Sequence, residues 1–149
     1  IHAKIAAQLG RRPIGRVENH HNFAWKEIVD GRECIVHRKG ATPAGKDVLG
    51  IIPGSMTASG YIVKGRGETA SLSSAAHGAG RKMSRTAAMN SITHELMKKT
   101  LEKHGVKLLG GGLDEAPQAY KDIEEVMRCQ RQLVDVVGTF IPKIVRMDG

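Results

Sequence analysis

The sequence predicts an α+β fold of mixed strands and hairpins with two long helices, and two observations support this class. The first half of the chain carries short apolar runs bracketed by glycine and proline, which is typical of strands joined by tight turns. The second half carries apolar residues at intervals of three and four, the spacing of helices. No internal repeat or low-complexity linker marks a boundary, so we expect residues 1–149 to be one domain or part of one.

The first predicted elements are a short helix and a β-hairpin. Apolar residues have helical spacing from the first residue onward, and the chain begins with isoleucine, so we expect a fragment whose first helix is cut partway. Residues 10–13 break this pattern. The segment 17–29 then leads into Asp30-Gly31, a strong two-residue hairpin signal, before residues 33–37.

The later elements follow from apolar runs and from helix-capping residues. Two runs, residues 48–52 and 61–63, predict short strands. Residues 84–104 predict one helix of about five turns that ends at a glycine. After a short strand, an Asp-x-x-Glu capping box predicts a second long helix over residues 122–137, and residues 140–145 suggest a closing strand.

Composition limits the function classes. Lysine and arginine number 23 against 15 acidic residues, for a formal charge of +8, so any nucleic-acid contact is expected to be made through phosphates. Two phenylalanines, two tyrosines and one tryptophan are too few for an aromatic stacking platform. Cys34 and Cys129 lie far apart in sequence, and no membrane span or signal sequence is evident, so we expect a cytoplasmic protein with no membrane partner.

A pair of histidines begins the predicted hairpin. Neighbouring side chains of a strand point to opposite faces, so His20 and Asn22 would face together while His21 points the other way. One imidazole cannot hold a metal ion alone. The alternatives are therefore a partial metal site and a histidine pair on the hairpin surface.

A glycine-rich segment follows His77. The glycines of Gly78-Ala79-Gly80 let backbone N–H groups approach a phosphate, and the N-terminus of a following helix would add its positive end. Arg81 and Arg85 stand four residues apart, which would place both on one helical face above this cradle. The alternative is a solvated basic helix start.

Two loops leave similar choices open. The basic loop 37–41 is either a phosphate contact or an exposed turn, and residues 53–60 are either a nucleotide loop or a tight strand connection.

Several segments in order resemble the C-terminal part of the RtcB family of RNA ligases. His-His-Asn and His-Gly-Ala-Gly-Arg-x-x-Ser-Arg are the most specific of these motifs. The matching segments are residues 18–25, 37–42, 51–56, 74–85 and 114–122, together with the last residues.

The resemblance implies a GTP- and manganese-dependent (Mn2+) enzyme. It would join RNA ends carrying a 2′,3′-cyclic phosphate or 3′-phosphate to 5′-hydroxyl ends, in tRNA splicing or RNA repair, with an archease-type activator as a further partner. Two competing interpretations are a non-catalytic RNA- or nucleotide-binding module derived from the family and a metal-dependent hydrolase built on His20 and His21.

The resemblance also implies roles for individual residues. His77 would be the nucleophile that takes GMP from GTP, and His21 would bind manganese. Nucleotide binding is implied for Asn22, Pro53, Gly54, Ser55, Met56, Ser59, Gly78, Ala79, Gly80 and Tyr120, the last of them close to the base. Contacts with RNA or phosphate are expected for Lys39, Arg81 and Arg85.

Three features depart from the family pattern. Many members carry a glycine after the methionine of the Gly-Ser-Met turn, and its lack here leaves the register of Ser59 open by one residue. Asp148 stands where the family usually has a lysine near guanine, which leaves the nucleotide preference open. The family's other manganese ligands, an aspartate, a cysteine and further histidines, belong to an N-terminal half, so we expect this chain alone to turn over poorly.

Overall fold

The computed structural model describes residues 2–147 and has the predicted α+β class, with mixed strands and helices. Its helices and strands run in the order α1 (His2–Leu9), β1 (Asn22–Val29), β2 (Arg32–Lys39), β3 (Ala41–Pro43), β4 (Leu49–Ile52), β5 (Gly60–Gly65), β6 (Ser74–Ala76), α2 (Arg85–Ser91), α3 (His94–Lys103), β7 (Lys107–Gly110), α4 (Ile123–Cys129), β8 (Val134–Phe140) and β9 (Ile144–Arg146). Short 3-10 turns cover Thr69–Ser71, Leu113–Glu115 and Pro117–Ala119.

The predicted hairpin is confirmed. Strands β1 and β2 pair antiparallel from Asn22 opposite Lys39 to Val29 opposite Arg32. The two turn residues have positive φ values, 49° at Asp30 and 75° at Gly31, which matches the right-handed twist of the strands.

A buried arginine fixes this hairpin to the rest of the molecule. The guanidinium of Arg38, only 3% exposed, donates to both carboxylate oxygens of Glu27 at 2.6 and 2.9 Å. It also donates to Ser74 Oγ at 2.7 Å and to the Leu72 carbonyl at 2.8 Å, and it lies 5.1 Å from the ring centroid of Trp25. The hydrogen bond from Arg38 lowers the pKa of Glu27. Arg38 is therefore a structural cation and is not free to bind a polyanion.

Three further small sheets position the loops of the site. Strand β3 pairs with β6, β5 lies between β4 and β8, and β7 pairs in parallel with β9. We call the three-stranded sheet β4-β5-β8 the central sheet. One core cluster lies against this sheet, and the other lies against the helices α2 and α3. The first contains Ala44, Ile52, Tyr61, Val63, Ala75, Ala79, Ile123, Met127 and Val134, and the second contains Met56, Ala88, Ile92, Met97, Leu101, Val106, Ala116 and Ala119.

The single long helix predicted over residues 84–104 is wrong, because two helices occupy this segment. Helix α2 ends at Ser91, and Ile92 turns extended at φ −103° and ψ 131° while its side chain stays buried. The side chain of Thr93 then accepts from the Leu96 amide and starts α3. A threonine cap inside an apolar helical pattern thus breaks the helix. Gly105 follows α3 with a φ of 63°, as its predicted capping position requires.

The second long helix is also shorter than predicted. Asp122 caps α4 by accepting from the Glu124 amide, but the helix ends at Cys129. The valines from Val134 onward form β8 instead and pair with β5. Their β-branched side chains suit a strand, and hydrogen bonding to a neighbouring strand overrides the helical spacing. Within residues 2–147 no helix has the length and apolar character needed to cross a membrane.

Candidate functional site

A cavity of about 590 Å³ lies between two glycine-rich loops and the end of the chain. Its volume is in the range of pockets that hold small ligands. One side is formed by the loop 53–56 and the segment 77–81, and the other by Arg85, Tyr120, Phe140, Pro142 and residues 144–147. The predicted nucleotide residues of both loops therefore meet in one place.

The two loops are held together through their main chains. The Ala79 amide donates to the Pro53 carbonyl at 3.1 Å. A Cβ on Gly78 would lie only 3.1 Å from the same carbonyl oxygen, so a side chain there would push the loops apart. Gly54 is equally confined, because a Cβ on it would come closer than 3.0 Å to Ala58 and to the Ser59 carbonyl.

His77 lies at this cavity and faces a second imidazole. The ring centroids of His77 and His21 are 4.5 Å apart, and the rings meet edge to face. Burial lowers the pKa of His77, and the charge of His21 lowers it further. Both effects favour the neutral imidazole, which is the form that can act as a nucleophile.

One glycine connects the two histidines. The Gly40 amide donates to the His21 carbonyl at 3.0 Å, and the Gly40 carbonyl accepts from the His77 amide at 3.3 Å. Gly40 has a φ of 70°, a conformation that costs energy for residues with a Cβ. The strand argument made for the histidine pair does not apply, because β1 begins only at Asn22, and His20 instead packs against Phe23.

A buried glutamine that the sequence did not reveal supports the backbone before His77. Gln130, 4% exposed, lies just beyond α4, and its Oε1 accepts from the Ala76 amide at 2.9 Å. The contact joins residues 54 positions apart, so no local pattern marks it.

Gln130→Leu is expected to lower the free energy of unfolding by about 1–3 kcal/mol, because the partly buried Ala76 amide is left without its acceptor. Urea unfolding measures this change. Gln132→Leu, at an exposed position two residues further on, should leave the midpoint nearly unchanged. Equal effects at the two positions would show that the hydrogen bond between the Ala76 amide and Gln130 contributes little to stability.

Arg81 and Arg85 are not on one helical face as predicted. Helix α2 begins only at Arg85, after the cap at Ser84, and Arg81 instead pairs with Tyr120 through one antiparallel bridge. The helix N-terminus is therefore not part of the glycine cradle. Both arginines nevertheless line the cavity.

Both arginines are paired with acidic residues that the sequence reasoning did not single out. Arg85 forms ion pairs with Asp114 and, at 2.9 Å, with Glu115. Arg81 donates to the Asp114 carbonyl at 2.5 Å and lies 3.6 Å from a Glu115 oxygen. Charged residues placed between apolar ones, as in Leu113-Asp-Glu-Ala116, were the available signal for the buried Glu115.

The remaining predicted residues are more scattered. Ser59, Asn22 and Lys39 do not line the cavity: Asn22 Oδ1 lies 3.4 Å from His37 Nε2, and Lys39 is exposed at the end of β2. Asp148 lies outside the described residues. The lining residues Phe140, Pro142, Arg146 and Met147 were not predicted.

The fit of the expected manganese ion is partial. His21 offers an imidazole next to His77, which suits one position of a metal ligand set. No group of three or more histidine, cysteine, aspartate or glutamate side chains in residues 2–147 could hold a metal ion. The described residues therefore fit part of a manganese ligand set, with His21 as the candidate ligand.

Comparisons with known proteins agree with the motifs of this site. The chain matches the family model described as tRNA-splicing ligase RtcB over residues 3–148. It is 44% identical to the RNA-splicing ligase RtcB of Escherichia coli K12 over 139 residues, which cover 93% of this chain and 34% of that relative. It is 37% identical to the tRNA-splicing ligase RtcB of Nanoarchaeum equitans over 150 residues, covering 84% of this chain and 31% of the relative.

The RNA-splicing ligase RtcB of Mycobacterium tuberculosis H37Rv is 36% identical over 145 residues, covering 82% of this chain and 34% of the relative. The chain thus spans about a third of the length of these curated relatives. The chain belongs to the tRNA-splicing ligase RtcB family.

Proposed function

We propose that residues 1–149 are the C-terminal nucleotide-binding part of an RNA ligase that works through a guanylylated histidine. The observation that carries this proposal is the position of His77, whose imidazole lies at a glycine-lined cavity beside His21. Family membership supports the ligase class. The lowered pKa of His77 supports its role as a neutral nucleophile.

The reaction consists of three successive displacements at phosphorus. A ring nitrogen of His77 attacks the α-phosphorus of GTP, an N–P bond forms, and pyrophosphate leaves with the electrons of the broken P–O bond. Where the RNA ends in a 2′,3′-cyclic phosphate, water first opens the ring by breaking the bond from phosphorus to the 2′-oxygen, which leaves a 3′-phosphate. An oxygen of the 3′-phosphate then attacks the phosphorus of the GMP adduct, and the N–P bond breaks to release the His77 imidazole. The 5′-hydroxyl of the second RNA end finally attacks that 3′-phosphate and displaces GMP.

The described residues have separate tasks in this scheme. The segment 78–80 and the loop 53–56 form the walls that would enclose the nucleotide. Backbone amides near a transferring phosphoryl group stabilise its developing charge without reorganisation. A manganese ion held in part by His21 would supply further positive charge at the phosphate oxygens.

The substrate and setting are part of the same proposal. An excess of positive charge suits RNA bound mainly through its backbone, with an affinity that falls as salt rises. Lys39, which is exposed next to Gly40, would contact such a backbone. We propose RNA with a 3′-phosphate or cyclic phosphate as one substrate, RNA with a 5′-hydroxyl as the other, an archease-type activator and a cytoplasmic location.

The end chemistry is tested in a chimera in which this chain replaces the segment that it matches in the Escherichia coli K12 relative. With GTP and manganese, the chimera should join 5′-hydroxyl RNA to RNA ending in a 2′,3′-cyclic phosphate or 3′-phosphate. It should not join RNA that ends in a 3′-hydroxyl. A folded chimera that binds GTP but joins 5′-hydroxyl RNA to neither the cyclic-phosphate end nor the 3′-phosphate end would instead favour a non-catalytic nucleotide-binding module.

A further inference from the structure

A buried carboxylate lies next to Arg81 and Arg85, the two arginines that line the cavity beside Tyr120. The Glu115 side chain is 9% exposed, and three polar groups surround it: the guanidinium groups of Arg81 and Arg85 and the hydroxyl of Tyr120. Glu115 does not line the cavity, but these three partners do. An ionised side chain buried to this degree requires such compensation.

The contacts form a relay from the cavity to the carboxylate. Arg81 Nη1 donates to the Tyr120 hydroxyl at 3.4 Å, and that hydroxyl donates to Glu115 Oε2. The guanidinium carbon of Arg81 also lies 5.2 Å from the centroid of the Tyr120 ring. A hydroxyl that donates to a carboxylate is a better acceptor for a cation, so each bond strengthens the other.

The same carboxylate separates two like charges. Its Oε1 lies 3.6 Å from Arg81 Nη1 and 2.9 Å from Arg85 Nη1. The two guanidinium groups therefore share this counter-charge, and Arg85 has a second one in Asp114. Without the Glu115 charge, the repulsion between the guanidinium groups would be compensated less and would loosen Arg81. Arg81 would then be held by its bonds to the Met83 and Asp114 carbonyls and by its contacts with Tyr120, whose hydroxyl would no longer be polarised by the carboxylate.

We propose that Glu115 is a positioning residue that holds the Arg81 guanidinium at the cavity wall, through Tyr120, where it meets a phosphate of the bound guanine nucleotide. This inference depends on the proposed nucleotide site. Glu115 contacts no substrate itself. Its contribution should therefore appear as a difference in affinity between a guanine nucleotide, which carries a phosphate, and the nucleoside, which does not.

The test compares guanosine with GMP binding to the chain by isothermal titration calorimetry. The ratio of the guanosine Kd to the GMP Kd measures the contribution of the phosphate. Glu115→Gln should reduce this ratio on the order of tenfold, because a guanidinium that is no longer held makes a poorer charge-assisted bond. Guanosine binding itself should change little.

Two further variants separate positioning from a general structural effect. Tyr120→Phe removes the hydroxyl and keeps the ring, so it should lower the ratio as well, and the double variant should lose no more than Glu115→Gln alone. Glu124→Gln is the matched control, because Glu124 accepts from the Tyr61 hydroxyl at 2.5 Å in an equivalent tyrosine–glutamate pair outside the cavity. It should leave the ratio unchanged.

A spectroscopic measurement tests the relay without any ligand. Burial raises the pKa of Tyr120, and so do the hydrogen bond and charge of Glu115. In a Tyr61→Phe background Tyr120 is the only tyrosine, and its phenolate absorbance should then appear at lower pH when Glu115 is replaced by glutamine. An unshifted titration would contradict the relay.

The outcomes distinguish this inference from the proposed function. If the wild-type chain binds neither guanosine nor GMP, the proposed nucleotide site is wrong and the inference is lost with it. If the wild type binds GMP but Glu115→Gln leaves the ratio unchanged or raises it, only the positioning role is overturned. Should Glu115→Gln fail to fold, Tyr120→Phe decides: an unchanged ratio there overturns the role as well.

Discussion

His77→Ala is expected to abolish the covalent GMP adduct of the chain, since within residues 2–147 His77 is the only histidine that lines the cavity. The chain is incubated with manganese and GTP that carries a labelled α-phosphate, and the protein-bound label is then measured. We expect the wild-type label to be a small fraction of the protein, because the described residues offer only a partial metal ligand set. The loss in the variant should nevertheless be complete.

His104→Ala is the matched control for this experiment. His104 is an exposed histidine whose Nδ1 lies 2.8 Å from the Thr100 carbonyl, away from the cavity. Its removal should leave the label unchanged. Label that persists at the wild-type level in His77→Ala would show that another residue is guanylylated. Stoichiometric label on the wild-type chain would show that its own residues hold the metal ion adequately.

Gly65→Ala is expected to cause the largest loss of stability, on the order of 3 kcal/mol or more. A Cβ on Gly65 would come closer than 3.0 Å to backbone atoms of Ala44 and Gly45. Backbone cannot rotate away as a side chain can, and the Gly65 amide is also bonded to the Val48 carbonyl at 2.8 Å. Chemical denaturation followed by circular dichroism measures the change.

Gly15→Ala provides the comparison for this substitution. A Cβ at Gly15 meets nothing within 4 Å, so the added methyl group has room and stability should change by less than about 0.5 kcal/mol. If Gly65→Ala were as stable as Gly15→Ala, the close approach of the two backbone segments at Gly65 would be wrong.

Local signals predicted the elements that depend on local chemistry. The hairpin was correct because Asp30 and Gly31 adopt the positive φ values that the turn requires. The long helices were wrong where a nonlocal contact or a second cap prevailed. Ile92 enters the core and Thr93 starts a new helix, while Val134 pairs with Gly65 across the central sheet.

The candidate site could be predicted only in part for the same reason. The glycine spacing and the family motifs identified His77 and the loop 53–56, which do meet at one cavity. The partners that hold these groups come from distant segments. Glu115 is separated by 30 residues or more from Arg85 and Arg81, and Gln130 reaches Ala76 across 54 positions. Sequence spacing carries no record of such pairs.

The Gly40 connection has a consequence for how this hairpin can vary. Because the carbonyl of His21 and the amide of His77 are both bonded to Gly40, the separation of the two rings depends first on the peptide backbone. Exposed side chains such as Ile28 and Ile35 can therefore diverge among homologues without altering the reactive geometry. Evolutionary constraint should concentrate instead on Gly40, which has no side chain.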